Sequence, residues 1–161
     1  MTTRNEPLAL AAERERTPAG QYITEILLET FRLNGRLVDA GDQMGKDLQL
    51  STARFQVLSV ADREAATVAE IARRMGLRRQ SVQRTVNSLR SDGFVELLPN
   101  PNHRRAKLVQ ITEKGSDALA KTYQRQIAWA NEIAIGLSEE DLDRTLKVMA
   151  AFRAKIERPG S

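Results

Sequence analysis

The chain has 161 residues, enough for one compact domain with a real core, and its 25 Lys and Arg against 21 Asp and Glu give a net charge of +4. Cysteine is absent and histidine occurs once, which excludes a disulfide framework, a thiol nucleophile and a thiolate zinc site, and leaves no set of imidazoles for a metal. No apolar run approaches the roughly 20 residues of a membrane-spanning helix, and the first residues lack a basic region followed by an apolar stretch, so a cytoplasmic protein is expected.

Residues 1–16 mix charge and alanine without a sustained apolar face and are expected to form a flexible arm. Thr17-Pro18 then has the form of an N-cap followed by proline at the first helical position. Ile23, Ile26, Leu27, Phe31, Leu33 and Leu37 recur at helical spacing, predicting a long amphipathic helix that ends near Gly41 or Gly45. A second helix is expected from Ser51 or Thr52 to residues 62–64, with Phe55, Leu58 and Ala61 inward and Val57 and Val60 widening the apolar stripe.

Thr67 and Glu70 have the spacing of a capping box, in which each side chain satisfies a backbone N–H of the first helical turn. Val68, Ile71, Ala72 and Met75 give that helix its buried side and Gly76 supplies a turn. The next helix carries Val82, Thr85, Val86 and Leu89 and stops at Asp92-Gly93. Residues 94–97 and 108–111 read as strands joined by a loop of Pro, Asn and basic residues, so a hairpin is predicted. Thr112 can cap a long helix with Ala118, Leu119, Tyr123, Ile127, Ala130, Ala134 and Leu137 along one face. Ser138 and Asp141 start a last helix carrying Leu142, Leu146, Met149, Phe152 and Ile156, and Pro159-Gly160 ends the order.

Two short helices around a glycine turn, followed by two strands around a basic loop, make a winged helix-turn-helix. The predicted fold is therefore mainly α with a small β-hairpin wing, flanked by long helices. Between Arg73 and Lys107 nine basic residues face only Asp92 and Glu96, a local balance of +7, while the rest of the chain sums to −3. A positive field placed on such a motif points to double-stranded DNA.

The second helix of a helix-turn-helix presents its N-terminal residues to base edges in the major groove. With Val82, Val86 and Leu89 turned inward, Arg79, Gln80, Gln83 and Arg84 are left as candidates for base contacts. Arg73, Arg74, Arg78 and Ser81 are candidates for phosphates. In the wing, Arg104 and Arg105 suit a narrow minor groove, which concentrates negative potential. The plainer readings are arginines that merely solvate a helix and a loop kept basic for solubility.

An enzyme is not expected. His103 is the sole imidazole and sits among arginines, no glycine-rich phosphate loop occurs, and carboxylate pairs such as Glu139-Glu140 lie at helix starts, where they complement the dipole. A dimeric protein-interaction or anti-repressor module, or a non-specific architectural DNA binder, remains the alternative to a sequence-specific regulator.

Residues 20 to 156, and most densely AEIARRMGLRRQSVQRTVNSLRSDGFVE and RRAKLVQITEKG, resemble the MarR family of dimeric winged-helix transcriptional regulators. The resemblance implies an N-terminal dimerisation helix over 17–47, a DNA-binding domain over 48–112 and C-terminal dimerisation helices over 113–157. Ile23, Leu27, Leu142, Leu146, Met149 and Phe152 become dimer-interface candidates, the alternative for each being intrachain core. It further implies a homodimeric repressor on a pseudo-palindromic operator, released by a small aromatic or phenolic effector. Phe31, Phe55, Tyr123 and Trp129 are the candidates for the effector cleft, unless they are ordinary core. One departure stands out: the family's wing carries Asp two residues before the minor-groove Arg, and His103 takes that place relative to Arg105. This suggests a less ordered wing whose DNA contact responds to pH, against an idle loop histidine.

Overall fold

The computed structural model describes residues 17–103 and 105–157. The expected N-terminal arm, Arg104 and the Pro159-Gly160 stop lie outside the described residues. In chain order the elements are α1 (Pro18–Gly45), a 3-10 turn (Lys46–Leu48), α2 (Thr52–Arg63), β1 (Ala66–Thr67), α3 (Val68–Met75), α4 (Arg79–Ser91), β2 (Val95–Leu98), β3 (Leu108–Ile111), α5 (Glu113–Ile133) and α6 (Glu139–Ile156).

The helix starts follow their capping chemistry. Thr17, Ser51, Thr67, Thr112 and Ser138 each accept, through the side-chain oxygen, a backbone N–H of the first turn that no carbonyl could reach. After α1 the chain reverses through Gln49 in the left-handed region (φ 58°). There a side chain on Gly45 would lie 1.8 Å from the Leu50 carbonyl oxygen, so the approach of the two segments requires glycine.

The sheet has three antiparallel strands in the order β1-β3-β2, with Ala66 opposite Val109 and Val95 opposite Ile111. Its edge strand β1 was not expected. Two residues are too few to show alternation, and they run directly into the capping box of α3. The second strand begins at Val95, one residue later than the sequence suggests, with Phe94 buried just before it.

Leu58, Ile71, Val82, Val86, Leu89, Phe94, Val109 and Leu119 form one core in which α2, α3, α4, the sheet and the first half of α5 meet. Each large side chain so buried contributes about 1.5–3 kcal/mol relative to exposure. The long helices lie largely outside it. Gly45 is the only buried residue of the 28-residue α1, and the 18-residue α6 has none. In α5 burial ends at Thr122 and Ile127 is 60% exposed; the helix stops at Ile133, so Ala134 and Leu137, read as part of its apolar face, lie beyond it, Leu137 being 58% exposed.

Candidate nucleic-acid interface

The helix-turn-helix is locked at both its turns. The Glu70 carboxylate accepts the Thr67 backbone N–H at 2.7 Å and its hydroxyl at 2.8 Å, while the Thr67 oxygen accepts the Glu70 N–H at 3.3 Å. Donation by the Thr67 backbone, then by its hydroxyl, holds the Glu70 carboxyl below its ordinary range. Gly76 closes α3 at φ 63°, a conformation that strains other residues, and the Leu77 N–H reaches back to the Ala72 carbonyl at 2.9 Å. The next helix, α4, has Arg78 at its N-cap, where no side chain caps it, in contrast to α3. Its first turn therefore keeps amide donors and the positive end of the helix dipole available to an anion.

On α4, Val82, Val86 and Leu89 are buried, whereas Arg79, Gln80, Ser81, Gln83, Arg84 and Asn87 are exposed. The Gln83 amide donates to Asn87 Oδ1 at 3.0 Å, which orients it while leaving its carbonyl and second N–H for a base edge. The four proposed phosphate residues divide. Arg74 is ion-paired with Glu64 at the end of α2, whereas Arg73, Arg78 and Ser81 are exposed and the two arginines form no salt bridge among the described residues, Arg73 acting on the Glu70 carboxylate only at longer range.

The wing comes close to the start of α4. Arg79 and Gln83 from α4, Arg105 and Lys107 from the wing, and Thr67 and Val68 at the head of α3 line one cleft of about 240 Å³. Arg79, Arg105 and Lys107 have no ion-pair partner among the described residues, so positive potential converges there. In the sequence Lys107 stands out only by its charge. Arg104 lies outside the described residues. Nor does His103 orient Arg105: its Nδ1 accepts the Ala106 N–H at 3.2 Å, while the Asn100 side chain accepts the Asn102 N–H at 2.9 Å. The imidazole thus closes the wing's own turn and makes no hydrogen bond to Arg105.

A further residue, unmarked in the sequence, braces α4 from behind. Arg54 of α2, its side chain 14% exposed, donates to the Gln49 carbonyl, to Ser88 Oγ and to Asp92, and its guanidinium stands 5.6 Å from the Phe94 ring centroid. Its partners lie up to 38 positions away, so local pattern could not reveal it.

Of the six interface candidates, Leu142, Leu146 and Met149 are 44%, 69% and 40% exposed, which removes the intrachain-core alternative for them. Ile23, Leu27 and Phe152 are half-buried. Between α1 and α6 runs a predominantly apolar groove of about 430 Å³ with Ile26, Leu33, Val148 and Met149 in its walls.

The four aromatic candidates do not form one site. Phe55 and Trp129, with Leu37 and Met44, wall a cleft of about 230 Å³ where α1, α2 and α5 meet. Tyr123 stands edge-on against Phe55, centroids 5.0 Å apart, and supports that ring without lining the cleft. Phe31 is 73% exposed and elsewhere. Six helical steps from Leu37 carry it about 120° around α1, away from the face that Leu37, Gly41 and Met44 share.

Residues 48–106 match the MarR family. Over 139 residues the chain is 35% identical to an uncharacterised protein of Mycobacterium tuberculosis, covering 85% of this chain and 97% of that one. It is 29% identical over 136 residues to the HTH-type transcriptional regulator TcaR of Staphylococcus aureus, covering 81% and 89%. Its fold is similar to that of a mutant MarR from E. coli complexed with operator DNA, with a TM-score of 0.74, 21% identity, and coverage of 84% and 99%.

Proposed function

The chain belongs to the MarR family of winged-helix transcription regulators, and from that membership we propose that it acts as a homodimer on a pseudo-palindromic operator. Two copies of α4 enter successive major grooves, about 34 Å apart. Gln80, Gln83, Arg84 and Arg79 read bases; Arg73, Arg78, Ser81 and the uncapped start of α4 hold phosphates. Arg105, with Arg104, follows the minor groove. The observation that carries this reading is the cleft in which Arg79 and Gln83 of the recognition helix meet Arg105 and Lys107 of the wing with no carboxylate among its lining residues.

Dimerisation is supported by α6, which has no fully buried residue within its own chain yet presents Leu142, Leu146 and Met149 beside the apolar groove against α1. A helix with such a face is stabilised by what covers it. Among the described residues no helix is long and apolar enough to cross a membrane, in keeping with a regulator working in the cytoplasm. Occupying the operator blocks polymerase, so repression is the proposed outcome.

Binding at fixed salt to the region upstream of its own gene, against random duplex, tests the function. A ratio near one overturns sequence-specific reading and favours an architectural binder. No binding even at low salt favours the protein-interaction module.

A second reading concerns regulation. The cleft between α1, α2 and α5 lies where the dimerisation helices join the DNA-binding lobe. A ligand held there shifts the separation of the recognition helices if it binds one arrangement more tightly than the other.

A further inference from the structure

The cleft walled by Phe55 and Trp129 is lined by no charged residue. Besides the Trp129 indole N–H, its polar side chains are Thr52, Gln56, Thr122 and Gln126, and two of these four are already engaged. The Thr52 hydroxyl donates to the Val38 carbonyl at 3.0 Å and the Thr122 hydroxyl to the Ala118 carbonyl at 2.9 Å. Gln56 and Gln126 have no hydrogen-bond partner among the described residues, so each carboxamide offers both N–H donors and a carbonyl acceptor to an occupant. The cation next in sequence to Gln126 is committed elsewhere: Arg125 donates to both carboxylate oxygens of Asp47, at 2.5 and 2.8 Å, and to the Met44 carbonyl at 2.6 Å.

We propose that this cleft binds an uncharged aromatic molecule bearing a hydrogen-bonding group such as a carboxamide, and discriminates against the corresponding carboxylate. The proposal rests on the regulatory reading above and narrows the effector to a neutral ligand. A carboxylate moved into this site would lose water without gaining a cation, a cost that grows with burial. A carboxamide exchanges its hydrogen bonds with water for bonds to Gln56 and Gln126 while its ring stacks on Trp129 and Phe55. Thr52 opens α2 and its backbone N–H donates to Asp42 of α1 at 2.6 Å, so an occupant sits against the joint between those helices.

The test uses the full chain and an isosteric pair, 4-chlorobenzamide and 4-chlorobenzoate, at pH 7. Trp129 is the only tryptophan and lines this cleft, so its fluorescence responds to an occupant there. The amide is expected to perturb Trp129 and to bind at least about tenfold more tightly than the carboxylate. Gln126→Lys, at an exposed position that tolerates charge, is expected to reverse the preference. Equal or tighter binding of the carboxylate to the wild-type cleft overturns the proposal. So does the absence of any Trp129 response to either compound, or an unaltered preference in Gln126→Lys. DNA binding measured on the same preparations keeps a failure here separate from a failure of the regulator reading.

Discussion

Arg54 of α2 is ion-paired with Asp92, the residue that ends the recognition helix, across 38 positions of sequence. The same guanidinium holds the Gln49 carbonyl, so one side chain fixes the end of α4 to the turn that follows α1. Arg54→Met leaves Asp92 and that carbonyl without their donor and is expected to cost about 1–3 kcal/mol in urea unfolding. A double-mutant cycle with Asp92→Asn should be clearly non-additive, because both changes remove the same bond. Additive losses would mean that the pair contributes nothing to stability.

The two arginines at the end of α3 should behave differently on DNA. Arg73 forms no salt bridge among the described residues, so Arg73→Ala is expected to weaken all duplexes alike and to lower the salt slope by about 1. Arg74 already neutralises Glu64, and Arg74→Ala should change the slope less. Titrations at several salt concentrations decide the matter.

Base reading separates from groove following. Gln83→Ala should change preference at particular base pairs by about 1–3 kcal/mol, whereas Arg105→Ala should weaken every sequence similarly. Competition against single-base variants of a selected site measures both. Uniform losses from the two variants would place the reading face elsewhere.

Acid should loosen the joint between α1 and α5. The side-chain hydrogen bonds from Arg125 lower the Asp47 carboxyl from 3.8 to about 2. A carboxyl lowered by folding stabilises the fold above its unfolded value, and that contribution fades as pH falls from about 4 towards 2. Glu70, lowered by its hydrogen bonds with Thr67, acts in the same direction. Asp47→Asn should therefore flatten part of the wild-type loss of stability between about pH 4 and 2, read from urea midpoints.

Leu146 is 69% exposed on a helix with no buried residue. Leu146→Glu is expected to shift the mass measured by light scattering from dimer to monomer and to abolish binding to a two-half-site duplex. The separate core of the DNA-binding lobe should keep its cooperative unfolding. A wild-type protein that already runs as a monomer would refute the arrangement.

What was legible in the sequence is local. Helix starts at Thr17, Thr67, Thr112 and Ser138 depend on a side chain and an amide three residues on, and the inward set Val82, Val86 and Leu89 depends on one helix's period. Relations between distant segments were not legible. Arg54 met Asp92, Arg74 met Glu64, and Ala66 paired with Val109, each through tertiary geometry that no short window contains. The apolar stripes of α5 and α6 were visible, but periodicity does not say whether a stripe faces its own chain or another. Only the exposure of Leu142, Leu146 and Ile127 distinguishes these. For the aromatic residues the helix phase carried the information: Phe31 is out of step with Leu37, while Phe55 is brought to Trp129 by the packing of α2 on α5.

Thr67 belongs at once to the sheet, where it faces Leu108, and to α3, which it caps. No flexible residue therefore separates the strand that secures the wing from the helix that carries the recognition turn. The wing and α4 are geared together. Any rotation transmitted along the long helices should reach α4 and the wing as one displacement, so the proposed major-groove and minor-groove contacts are expected to be released in a single step.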